Sequence, residues 1–125
     1  MRTPARLASL VVLLLALVPS VAAARARHRL PPRQTVPASA IRVHDGDTFY
    51  VGPEKIRLRG IDTPELGAPR SRMAALRLIQ LLGEGPVTIV PRAEDVYGRV
   101  VADVYVRGHD IARVLRREGF AKSRR

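Results

Sequence analysis

From Ala38 onward the chain carries short runs in which apolar and polar residues alternate, the period of a half-buried strand. Ala38 to Val51 reads as two strand segments interrupted at Asp45-Gly46-Asp47, with Gly52-Pro53 as the following turn. Lys55 to Ile61 alternates and predicts a third strand. It places Ile56 and Leu58 on the interior face, and Arg57 and Arg59 together on the other. Gly67 to Arg70 reads as loop. Ser71 is a candidate cap for a helix running to Leu82, with Gly83 ending it. Met73, Leu76, Ile79 and Leu82 form the apolar stripe expected to face the core. Val87 to Val90 predicts a strand, Arg92 to Gly98 a polar connection, and Arg99 to Val106 a further strand. Gly108 marks a turn. Asp110 is placed to cap a short second helix with Ile111, Val114 and Leu115 inward, Gly119 at its end and Phe120 folding back. The expected fold class is α+β, mainly β: a five-stranded Greek-key barrel resembling the oligonucleotide-binding fold, with two helices.

The first residues obey different rules. Arg2 and Arg6 precede an apolar run from Leu7 to Val18, Pro19-Ser20 breaks it, and Val21 to Ala24 offers small residues. This is the layout of a cleavable secretory signal over residues 1–24, too short for the ~20 apolar residues that span a bilayer. The expectation is a secreted or periplasmic product without stable membrane insertion after cleavage. Residues 25–37, with Arg25, Arg27, Arg29, Pro31, Pro32, Arg33 and Pro37, show no hydrophobic period and read as a disordered basic linker. The folded domain is expected over residues 38–125.

Charge then narrows the partners. The net charge is +11, and without Arg2 and Arg6 it is +9, 20 basic residues against 11 acidic. Such a surface attracts polyanions, whether nucleic acid or an anionic membrane. The chain has no cysteine, so a small exported domain must rest on packing.

Three polar clusters carry the candidate chemistry. They are Asp45-Gly46-Asp47-Thr48, then Arg57 with Asp62-Thr63-Pro64-Glu65, then Tyr97-Gly98-Arg99. Each alone could be turn chemistry. Together they offer carboxylates for a hard cation, arginine forks for phosphate oxygens and a spare carboxylate to activate water. Those are the parts of a phosphodiesterase. Arg59 shares the face of Arg57 and is a candidate for substrate binding, either to a phosphate or to a nearby acid. His44 could add a ligand, although hard cations prefer oxygen. Glu94 and Asp95 read as turn acids.

The order Asp-Gly-Asp-Thr, Arg, Asp-Thr-Pro-Glu, Tyr-Gly-Arg resembles the active-site pattern of the staphylococcal nuclease-like (thermonuclease) family. The likeness runs from about Ile41 to Lys122 and includes Val114 to Ala121. It implies a small barrel that hydrolyses DNA and RNA with Ca²⁺ as a monomer. It also implies roles. Asp47, Asp62 and the Thr63 backbone carbonyl would hold Ca²⁺, and Asp45 would act through water. Glu65 would activate or orient the attacking water. Arg57 and Arg99 would grip the scissile phosphate, and Tyr97 a neighbouring one. Family members usually continue into a third helix bearing substrate-binding tyrosines. The sequence stops at Arg125, so the expectation is a domain without that helix. The alternative is a nucleic-acid-binding barrel impaired in catalysis. Val96 stands where a lysine is common in the family.

Overall fold

The computed structural model describes residues 29–123; the proposed signal sequence lies outside them. The strands are β1 (Gln34–Val36), β2 (Ile41–Asp45), β3 (Thr48–Val51), β4 (Glu54–Leu58), β5 (Val87–Glu94), β6 (Val100–Val106) and β7 (His109–Asp110). The helices are α1 (Ser71–Leu82) and α2 (Ile111–Arg117), with a 3₁₀ turn at Ala38–Ala40. The strand order is β1-β5-β6-β4-β3-β2, with β7 added to β6. Every pairing is antiparallel except β4 with β6, where Arg57 lies opposite Val101. The sheet curls into a half-barrel with the two helices against it. No helix among the described residues is long and apolar enough to cross a membrane.

The alternation read from sequence fills the interior. Ile56 and Leu58 are buried, as are Phe49, Ile89, Val104, Ile111 and Leu115. Asp110 caps α2 by accepting from the Arg113 N–H at 3.2 Å, and Phe120 packs against the core as expected.

Several expectations are corrected by tertiary contacts. Gln34–Val36, inside the segment read as a disordered linker, pairs with β5 through Thr35 opposite Thr88. A strand this short is specified by its neighbour rather than by its own pattern. β5 runs on through Arg92 to Glu94, where a polar connection was expected, because β6 offers it a ladder past a bulge between Pro91 and Ala93. Ser71 is the first buried residue of α1 rather than its cap; Arg70 precedes it at φ 67° with no capping side chain. The buried face of α1 is Ser71, Ala74, Leu78, Leu81 and Leu82, whereas Met73, Leu76 and Ile79 are exposed. The cause is close docking. A Cβ on Gly46 would lie 2.6 Å from the Ala74 Cβ, so a small residue must face that turn. The bulkier stripe rotates outward.

Candidate active site

The first acidic turn closes on itself. Asp45 Oδ1 accepts from the Asp47 N–H at 3.1 Å, and the Thr48 hydroxyl donates to Asp47 Oδ1 at 2.8 Å. The other Asp47 oxygen accepts from the Thr63 N–H at 3.0 Å. That bond ties the first acidic turn to the second, which lies 16 residues further along. Gly46 makes the approach possible. A Cβ there would meet Thr63 Oγ1 at 2.8 Å as well as Ala74.

Asp47 is 6% exposed, and its carboxylate differs from that of its neighbour. Burial pushes the Asp47 carboxyl up, but the Thr63 N–H, Asp45, the Arg57 guanidinium and the Thr48 hydroxyl outweigh it and hold it below the usual range. Asp45 moves the other way. Burial raises it first, and contact with the Asp47 carboxylate raises it further. Two adjacent acids therefore split, one ionised and one readier to hold a proton.

Arg57 reaches across from β4. Its Nη1 donates to the Leu58 and Ile61 carbonyls, both at 2.5 Å. Its Nη2 lies 3.6 Å from Asp47 Oδ2 and 3.5 Å from Asp62 Oδ1. Backbone carbonyls thus fix the fork, and the acids pair with it only loosely. Arg99 comes from the hairpin between β5 and β6. Asp95 accepts from the Arg99 and Tyr97 N–H groups, each at 3.0 Å, and from Arg99 Nε at 2.6 Å. Burial raises the Asp95 carboxyl, but these donors prevail and hold it low. Asp95 is thus a turn acid, as read, and it is also the anchor of Arg99.

A cavity of about 90 Å³ brings together all but two of the expected residues. Asp45, Asp47, Arg57, Asp62, Thr63, Glu65 and Arg99 all line it. Glu65 is exposed, with Lys122 Nζ 3.4 Å from its carboxylate. The Lys122 N–H donates to the Asp62 carbonyl at 2.6 Å, so the segment after α2 folds back onto the second acidic turn. The two residues outside the cavity are Tyr97 and Arg59. Tyr97 is 80% exposed, with the Arg99 guanidinium 5.3 Å from its ring centre. Arg59 forms two bonds to Asp103, at 2.7 and 3.0 Å, so an acid holds it where a phosphate was one option. His44 stacks edge-on to Tyr50.

Sequence reasoning missed Asp103 and the Lys122 contacts. Asp103 had a signal: a lone carboxylate inside the apolar run Val100–Val106 needs cationic partners. It finds Arg59 and, at 2.8 Å, Arg92.

The donors around the cavity are oxygens, the chemistry of a hard divalent cation. Thr63 Oγ1 is buried there without a hydrogen-bond partner. The acids do not yet converge: among the described residues no three His, Asp or Glu side chains form a group that could hold a metal ion. Arg57 stands between Asp47 and Asp62 as the local positive charge. The residues fit such an ion in kind.

Residues 55–125 match the family described as staphylococcal nuclease homologue. A staphylococcal-like nuclease of Arabidopsis thaliana is 34% identical over 67 residues, covering 54% of this chain and 21% of that protein. A protein of Capnoides sempervirens described as uncharacterized is 40% identical over 67 residues, covering 54% and 20%. A probable endonuclease of Paracoccidioides lutzii is 47% identical over 58 residues, covering 42% and 17%. The matched region thus spans about a fifth of the length of these relatives.

Proposed function

The chain belongs to the family of staphylococcal nuclease homologues, and on that premise we propose that it is an exported, Ca²⁺-dependent nuclease acting on DNA and RNA as a monomer. One observation carries the reading: an arginine from β4, another from the β5–β6 hairpin and the carboxylates of two separate turns line one small cavity. A phosphodiester fits that arrangement. In-line attack spreads negative charge over the phosphoryl oxygens, and preset cationic forks stabilise it most in the transition state. Arg57, fixed by two carbonyls, and Arg99, fixed by Asp95, are preset in this sense. Glu65, at the exposed rim, orients or deprotonates the attacking water. Tyr97, beside Arg99, meets a neighbouring phosphate. Asp47, Asp62 and the Thr63 carbonyl would hold Ca²⁺, with Asp45 acting through water. Bound there, the ion would add positive charge at the phosphoryl group and acidify water.

The test is incubation of the full chain with plasmid DNA and with RNA, in Ca²⁺ and then in chelator. Cleavage in Ca²⁺ that chelator abolishes is expected, and persistent cleavage in chelator overturns the metal role. Export is checked by mass spectrometry of the secreted product, whose first residue should follow Ala23 or Ala24. A second reading, a binding barrel impaired in cleavage, draws on the unconverged acids. It predicts DNA binding without cleavage in either condition.

A further inference from the structure

The outer face of the sheet leads away from the cleavage cavity. A strand shows alternate residues to one side, so Val101, Asp103 and Tyr105 of β6 share that face. Across the ladders it continues to Arg57 on β4, opposite Val101, and to Val90 and Thr88 on β5, opposite Asp103 and Tyr105. Next to the cavity lies a groove of about 740 Å³ that Arg57, Arg99, Val101 and Arg59 line together. Arg59 leads on. It bonds to Asp103, and Asp103 also accepts from Arg92, the residue inside the β5 bulge. Asp103 is 7% exposed, although its backbone position is outward, because the two guanidiniums cover it.

Arg92 also lines a second groove, of about 420 Å³, with Arg33, Thr88, Val90, Tyr105 and Arg107. Among the described residues no carboxylate lines it. Arg33 and Arg107 are exposed and form no ion pair among the described residues. Arg107 sits in the tight turn into β7, at φ 51° beside Gly108 at φ 77°, which fixes where its side chain starts. Unpaired arginines around an aromatic residue are the composition of a single-strand nucleic-acid groove, cationic for the backbone and flat for a base.

We propose that this second groove is a non-catalytic subsite for single-stranded nucleic acid, joined to the cleavage cavity by the Arg59–Asp103–Arg92 bridge. The inference rests on the nucleic-acid reading of the cavity. Arg99 and Arg107 are eight residues apart in sequence, roughly 26 Å at the rise of a strand. At the ~3.4 Å axial spacing of a stacked strand that distance takes about eight nucleotides. It lies within the ~4–16 nucleotides that such barrels occupy. Asp103 keeps the bridging arginines ordered while their remaining N–H groups face outward.

Binding by the full chain is measured in chelator, by fluorescence anisotropy, with labelled oligothymidylates of about 16 nucleotides and of three. The variant is Arg33→Gln with Arg107→Asn, asparagine being tolerated at positive φ. A second variant, Tyr105→Leu, probes the flat contact, and circular dichroism melts accompany both. The double variant should bind the long oligomer roughly tenfold more weakly, with a salt slope shallower by about 1.4. Trimer binding should not change, since a trimer cannot span both sites. Tyr105→Leu should weaken the long oligomer alone. Wild-type affinity in both variants overturns the subsite while leaving cleavage in Ca²⁺ intact. Equal losses on both lengths overturn it too. Loss confined to vesicles rich in phosphatidylglycerol would make the groove a membrane contact and overturn it. A wild-type chain that neither binds nor cleaves oligomer sinks the nucleic-acid reading of the cavity, and the subsite with it.

Discussion

Arg57 on β4 and Arg59 just past its end stand two residues apart and have opposite surroundings. Arg57 is held by two backbone carbonyls and only loosely by acids, at 3.5 and 3.6 Å. Arg59 has its fork engaged by the Asp103 carboxylate at 2.7 and 3.0 Å. The first is positioned without being neutralised and keeps its charge for something else. The second is half of a strut between β4 and β6. A guanidinium held by carbonyls, or by a carboxylate through Nε alone as in Arg99, remains a catalyst's tool, whereas one gripped by a carboxylate through two nitrogens mostly becomes structure.

The sharpest way to test that contrast is to remove each arginine in turn. Arg57→Ala, and likewise Arg99→Ala, should lower cleavage at least ~100-fold in purified folded protein, by analogy with losing one oxyanion donor. Arg59→Ala should cost far less. Initial rates on a short substrate decide it, and equal losses at the two positions would erase the distinction. Next in size is Gly46→Ala. A new Cβ 2.6 Å from the Ala74 Cβ and 2.8 Å from Thr63 Oγ1 pushes the first acidic turn off both α1 and the second acidic turn, for a loss of about 1–3 kcal/mol in a urea melt.

Asp103→Asn attacks the strut and should cost about 1–2 kcal/mol at neutral pH. The Arg59 fork, against the opposing effect of burial and with help from Arg92, holds the Asp103 carboxyl below its ordinary 3.8. A depressed folded value means that the stabilisation is complete above 3.8 and fades as pH falls through the folded value. The gap between wild type and variant should therefore close only in strong acid. The smallest effect has the opposite sign. Asp45 is raised by burial and by Asp47, so its charge disfavours the fold once pH rises through the folded value. Asp45→Asn keeps the Oδ1 acceptor and should stabilise the protein in chelator by at most about 1 kcal/mol. Thermal melts should show that gain shrinking when Ca²⁺ is added.

Much of this was legible from local pattern. The alternation of Lys55 to Ile61 gave the burial of Ile56 and Leu58, and Asp110 announced its own cap. Five strands and both helices followed from such signals. What escaped depends on partners distant in sequence. β1 and the end of β5 exist because neighbouring strands pair with them. The face of α1 was misjudged because Met73, Leu76 and Ile79 outweigh Ala74 in bulk, yet only Ala74 fits against Gly46. The acidic clusters were grouped from residue type, and they do line one cavity. Arg59 was grouped with them because nothing in its own strand reveals the carboxylate waiting on β6.

The parallel ladder between β4 and β6 has a temporal consequence. Arg57 and Arg99 share one opening only after strands separated by more than 40 residues have joined. Closing so long a loop is an entropic cost met late, once most of the chain is present. A growing or unfolded polypeptide therefore carries every reactive group and no assembled centre.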